Sequence, residues 1–231
     1  MYTASSHQKQ QLAVIGQIER AVDSNRINFS TVTPTTNYAL DPRLCLTSVH
    51  FPDRSFIETV RKLIEPLKKI DKSIYFYPDT SFHLTIKNLR TINDPANFDE
   101  PLIAKAQTVF HQVIPLHHAF QAYYYRLLLF PGNLVLIGTT DEELDRIIFD
   151  LNRGLIQAGI PDDKVYLNDK YFFSNVTLAR FTKPISQAFR AKVSQISEAM
   201  EEFTYRVDSV SLVTANASLN RLRKINTWRL K

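Results

Sequence analysis

Two short stretches of this chain place a polar side chain two residues ahead of a threonine in an apolar frame: His83-Leu84-Thr85-Ile86 and Asn175-Val176-Thr177-Leu178. Side chains on a β-strand alternate between faces, so His83, Thr85 and Lys87 share one face and Phe82, Leu84 and Ile86 the other. The second stretch divides in the same way, with Asn175 and Thr177 on one face and Val176 and Leu178 on the other. The apolar sets can pack on helices, which leaves the polar sets to face an open cleft. Histidine titrates near neutral pH and can take up or give a proton, while a threonine hydroxyl can donate to developing negative charge. Asparagine can orient water or bond an anion, but its amide cannot exchange a proton at neutral pH. A single His-x-Thr is a weak signal; its occurrence in two equivalent places carries the weight.

The elements needed to position these strands also repeat. Residues 44–51 are apolar and β-prone, and Ser55 with Glu58 forms a capping-box signature for a helix carrying Ile57, Val60 and Ile64. Pro66 should kink or end that helix. After the His83 strand, Asp99 opens a helix through Ile114, and two strands near 120–130 and 134–138 are joined by Pro131-Gly132-Asn133, a turn signal. The second half begins with another capping box, Thr140 and Glu143, on a helix reaching about Gly159. The Asn175 strand follows, then a helix capped by Ser186 and running to about Phe203, then strands near 205–213 and 225–230. Each half reads helix, motif strand, helix, hairpin. This repetition predicts an α+β fold of two lobes about a pseudo-two-fold axis, with the equivalent strands lining the cleft between them. Ahead of it, residues 1–42 read as an amphipathic helix (Leu12, Ile15, Ile18 and Val22 at helical spacing) and a polar linker, leaving 43–231 as the domain proper.

Bulk properties narrow the function classes. At 231 residues, 44% hydrophobic and 22% charged, the chain can bury a real core. No apolar run is long enough to span a bilayer, and the first eleven residues lack the apolar segment of a secretory signal. Cys45 is the only cysteine, which excludes an intrachain disulfide and a cysteine-based metal site and fits a reducing, cytoplasmic compartment. The net charge of +5 mildly favours a polyanionic partner. With 5 glycines and no glycine-rich phosphate loop, a P-loop or dinucleotide-binding reading has little support.

The motif pair resembles the signature of the two-histidine phosphoesterase superfamily, the RNA 2′,3′-cyclic phosphodiesterase and 2′-5′ RNA ligase (LigT-like) type, which carries two copies of His-x-Thr-x with hydrophobic x. The first copy matches at His83 to Ile86; the second has Asn175 in place of histidine and continues Ala179-Arg180-Phe181 as such proteins commonly do. Val207-Asp208-Ser209-Val210-Ser211-Leu212 and Thr227-Trp228-Arg229-Leu230 resemble the family's closing hairpin. The resemblance spans roughly residues 43–231. It implies antiparallel sheets flanking a central cleft with helices outside, and an activity on 2′,3′-cyclic phosphates or 2′-5′ linkages of RNA or nucleotides, without a cofactor or metal. Thr85 and Thr177 would hold the phosphate, and His83 would be one of a proton-transfer pair, the acid toward the leaving oxygen. Asn175 removes the other proton carrier, and none of the six histidines lies beyond His118 to replace it. Losing one general acid or base costs on the order of 10²–10⁴-fold in rate. The chain is therefore expected to be an enzyme with weakened or altered catalysis or, alternatively, an inactive RNA- or nucleotide-binding protein that keeps the fold. A protein-interaction module using the N-terminal helix trails both.

Other residues compete for the same site. Lys87 either contacts a phosphate or is solvated at a strand end; Arg180 and the run 221–224 could touch backbone phosphates, although a solvated hairpin loop is the default for the run. Phe181 falls on the Asn175 face by alternation and is the candidate base contact, while most residues of the aromatic runs at 75–77, 123–125 and 171–173 are expected in the core. His50 reads as structural. His111, His117 and His118 lack a recognisable ligand spacing and are expected at the surface or a sheet edge. Oligomeric state is not legible.

Overall fold

The computed structural model describes residues 4–24, 26 and 29–231. In chain order its elements are α1 (Ser6–Asp23), β1 (Leu44–His50), α2 (Arg54–Lys68), β2 (Tyr75–Phe76), β3 (Leu84–Asn93), α3 (Glu100–Val113), β4 (Phe120–Leu129) and β5 (Asn133–Thr140). They continue as α4 (Glu143–Gln157), β6 (Ser174–Arg180), α5 (Gln187–Ala199), β7 (Phe203–Val207), β8 (Ser209–Ala215) and β9 (Leu222–Arg229). Two antiparallel sheets result, one in the order β3-β1-β8-β9 and the other β2-β6-β5-β4-β7. This is the predicted α+β architecture, with one departure. The two sequence halves do not form one lobe each: the β4–β5 hairpin of the first half pairs with β6 of the second, and the β8–β9 hairpin pairs through β1 with β3. The stretch read as one strand near 205–213 divides at Asp208, β7 joining one sheet and β8 the other.

Two of the four helix caps read from the sequence hold. Asp99 accepts from the Leu102 amide and Ser186 from that of Phe189, satisfying amides a helix start leaves unpaired. Two caps differ. Asp53, not Ser55, caps α2 by accepting from the Phe56 amide, since its carboxylate is the stronger acceptor and Ser55 itself donates to it. Thr140 ends β5 and is fully buried, so its hydroxyl cannot cap α4 and is bonded instead by Gln11. Pro66 falls in the last turn of α2, and the helix closes two residues later. Helix α5 stops at Ala199 rather than Phe203, which opens β7.

The main core lies between the sheets and helices α2–α5, with Val60, Ile64, Phe110, Leu151 and Phe189 buried against Leu84, Leu136, Val176 and Leu178. A smaller cluster occupies the opposite face of β5, where Ile15 of α1 packs on Val135 and Ile137. A Ser5–Gln8 capping box starts α1, and Gln11 anchors it: Nε2 donates to Thr140 Oγ1 at 2.8 Å and Oε1 accepts from the Thr140 amide at 2.9 Å. After it, Tyr38 is buried and its carbonyl accepts from Ser218 Oγ at 2.7 Å. Among the described residues no helix is long and apolar enough to cross a membrane.

Candidate functional site

Burial of Phe82 and Leu84 in the main core turns His83 to the other side of the chain, half-buried just ahead of β3. Its Nδ1–H donates to the Ser81 carbonyl at 2.7 Å, which leaves Nε2 as the bare nitrogen. The ring lies nearly parallel to that of Tyr77, with centroids 6.4 Å apart. Burial pushes its pKa down to about 4; the Ser81 bond works against this, and the Arg180 charge adds to it. At neutral pH His83 is therefore uncharged, with Nε2 free to accept a hydrogen bond, whereas the acid role implied by the family resemblance needs the protonated ring.

On β6, Asn175 pairs with Ile137 and Thr177 with Val135, the residues of β5 that face α1. Paired residues of an antiparallel ladder share a face, so Asn175 and Thr177 lie on the α1 side of the sheet, away from the main core. Beyond Thr177 the ladder slips: Leu134 pairs with Ala179, leaving Leu178 as an extra residue in β6. Such a bulge reverses the alternation. Leu178, Ala179 and Phe181 are buried in the main core, and Arg180 emerges on the cleft side. Phe181 is therefore not a base contact but a core residue, edge-to-face with Phe189 at 5.9 Å. A similar slip in β3, between Thr85 and Lys87, leaves Ile86 without a partner on β1.

Strands β3 and β6 approach each other, and a cavity of about 390 Å³ opens beside them. Its polar lining includes Thr85, Asn88, Asn175, Arg180 and Lys164, whereas His83 and Thr177 are not among the residues that line it. Asn88 and Arg180 each stand five residues after the first residue of their motifs, one from each copy of the repeat. Arg180 Nε donates to Tyr77 Oη at 2.9 Å and its guanidinium lies 5.8 Å from the Tyr38 ring. The half-buried Lys164 ammonium lies 5.1 Å from the Tyr166 ring centre, and burial lowers its pKa to about 8. Among the described residues neither cation has a carboxylate in salt-bridge contact. Lys87 differs: it is buried and ion-paired with Asp162, so its charge is already met and it does not line the cavity. The sequence reading missed Lys164 and Asn88. A lone lysine in Pro161-Asp162-Asp163-Lys164 carries no motif, while Asn88 was legible only by extending the repeat to its fifth position.

The remaining candidates divide. His50 is structural, its ring nitrogens 2.9 Å from the Ser209 carbonyl and 3.0 Å from Tyr205 Oη. His117 is buried rather than at a surface, held between Glu143 at 2.9 Å and Asp150 at 3.3 Å. Of the aromatic runs, Tyr77 and Tyr124 lie in the core, but Tyr171, Phe172 and Phe173 reach the cavity wall. Among the described residues no group of three or more His, Cys, Asp or Glu is placed to hold a metal ion.

No family model and no curated protein matches the chain. Solved structures do. TT0787 of Thermus thermophilus aligns at a TM-score of 0.56 and 17% identity, over 81% of this chain and 97% of its own. E. coli LigT complexed with ATP aligns at 0.53 and 12%, over 83% and 99%. A conserved protein of unknown function from Agrobacterium tumefaciens, ATU0111, aligns at 0.61 and 11%, over 90% and 97%. With its helices outside two antiparallel sheets and its motif strands meeting at a cleft, this chain has the LigT-like phosphoesterase fold.

Proposed function

We propose that the cleft binds the phosphoester of a nucleotide or RNA end and hydrolyses it in the cytoplasm, with a 2′,3′-cyclic phosphate or a 2′-5′ linkage as substrate. The observation that carries this reading is that Thr85, Asn175, Arg180 and Lys164 line one cavity, the two cations without a carboxylate in salt-bridge contact among the described residues. An anion is the ligand such a lining favours, because desolvated cations left unpaired are costly. E. coli LigT has been solved with phosphate, 3′-AMP, ATP and NADP+, which supports a nucleotide phosphate as that anion.

For a cyclic phosphate, water oxygen forms a bond to phosphorus as the bond to one ribose oxygen breaks. His83 Nε2 takes the water proton, a role its neutral, Nδ1-protonated state suits. Thr85, Thr177 and Arg180 donate to the non-bridging oxygens. The departing ribose oxygen needs a proton that Asn175 cannot supply. Lys164, charged at neutral pH and able to release a proton near pH 8, is the group of the cavity wall suited to give it. Burial lowers the Lys87 pKa to about 8 as well, but Lys87 contacts Asp162 and does not line the cavity, and Phe181 is buried in the core.

The binding step is tested by calorimetric titration with 3′-AMP. Wild type should bind, and Arg180→Met and the Thr85→Val/Thr177→Val pair should each weaken binding by about tenfold or more, a charge-assisted bond being worth roughly 1.5–3 kcal/mol. Binding unchanged by all these substitutions would reject the site. Asn175 favours a second reading, an RNA- or nucleotide-binding protein without turnover. It predicts the same binding and no product.

A further inference from the structure

We propose that α1 and the strap of residues 29–34 roof this cleft and select small phosphoesters bearing a planar or apolar group over an RNA chain. The inference rests on the phosphoester reading and narrows its substrate. The lining combines two chemistries: Thr85, Arg180 and Lys164 are polar or charged, while Val14 and Ile18 of α1 and Phe29, Val32 and Pro34 of the strap are apolar. A phosphate fits the first set and a base or another apolar body fits the second.

The roof is fastened at several points. Ile15 is fully buried on β5, Gln11 exchanges two hydrogen bonds with Thr140, and Glu19 pairs with Arg126 at 2.7 Å. The strap is tied beside Lys164: the Ser30 amide donates to the Val165 carbonyl and the Val165 amide to Ser30 Oγ, each at 2.9 Å. At about 390 Å³ the cavity is near the lower end of small-molecule sites, roughly 300–1,000 Å³. Lys164 and Arg180 are the cations of the lining among the described residues, so the further phosphates of an RNA chain passing Val14, Ile18 and Val32 would meet no additional positive charge there; each needs water or a positive charge.

Two comparisons test this on the full chain. The first is calorimetric binding of phenyl phosphate against inorganic phosphate; the second is kcat/KM for a 2′,3′-cyclic mononucleotide against a short RNA ending in the same cyclic phosphate. Wild type should favour phenyl phosphate by about tenfold or more, from apolar area buried under the roof, and the mononucleotide over the RNA by a similar factor. Val14→Asp/Ile18→Asp should narrow both ratios about tenfold, and the milder Val32→Ser should narrow them less; thermal melts establish that each variant is folded. Equal binding of the two phosphates, or an RNA processed as well as the mononucleotide, would overturn the roof's role while leaving the phosphoester reading intact. A phenyl phosphate preference without turnover of either substrate would support the roof and sink hydrolysis. No binding of either phosphate would overturn both.

Discussion

Replacing Lys164 separates a proton donor from a mere positive charge. With its pKa lowered to about 8, the side chain is roughly nine-tenths charged at pH 7 and one-tenth at pH 9. His83, lowered to about 4, stays neutral down to about that pH. If Lys164 gives the proton and His83 takes one, kcat/KM for a 2′,3′-cyclic nucleotide is bell-shaped, with limbs near pH 4 and pH 8. This plot reports the free enzyme, to which both pKa values belong. Lys164→Gln removes charge and acidity together and should cost about 10²-fold at pH 7, or about 2.7 kcal/mol of barrier. Lys164→Arg keeps the charge, but a guanidinium does not deprotonate in this range, so KM should persist while kcat falls. Both variants lose the basic limb. Initial rates between about pH 4 and pH 10 decide the matter. A limb persisting near pH 8 in either variant, or wild-type kcat in Lys164→Arg, would refute the donor role.

Three further outcomes follow from the same geometry. Asn175→His restores a titratable group on the cleft face of β6, and kcat/KM should rise by on the order of 10²–10⁴-fold; no gain would mean that the position does not face the leaving group. Phe181→Ala should destabilise by about 3–5 kcal/mol as a core truncation, read by denaturant unfolding, whereas Phe181→Leu should leave KM unchanged; a raised KM would return Phe181 to the substrate. Burial raises the Asp145 carboxyl to about pH 7 from 3.8, so the folded state holds a proton that the unfolded state has lost. Stability should accordingly fall as pH rises between about 4 and 7, and Asp145→Asn should flatten that slope and stabilise the protein at pH 8 by up to about 4 kcal/mol. Equal pH slopes in the two proteins would contradict it.

The sequence made the motif strands legible because period-two alternation places His83, Thr85, Asn175 and Thr177 without any tertiary information. It stopped being reliable at Leu178. A single extra residue in the ladder exchanged the faces beyond it, sending Phe181 inward and Arg180 outward, and the pairing partner that reveals the slip lies some forty residues away on β5. Lys87 was ambiguous for a related reason, since its partner Asp162 belongs to a distant loop. The seat of α1, by contrast, had a local signal. Leu134-Val135-Leu136-Ile137 is apolar at every position, the pattern of a strand covered on both faces, with the main core under Leu134 and Leu136 and Ile15 over Val135 and Ile137. Exchange of hairpins between lobes left no mark, because the order of elements is the same whether or not they cross.

The central claim is that His83 works on a phosphoester bound in this cleft. Hydrolysis of a 2′,3′-cyclic mononucleotide by wild type and His83→Ala, followed as product phosphomonoester, tests it most directly. We expect slow turnover in wild type that falls by on the order of 10²–10⁴-fold in His83→Ala, with 3′-AMP still bound. Equal turnover in the two proteins, or none in either, would contradict it.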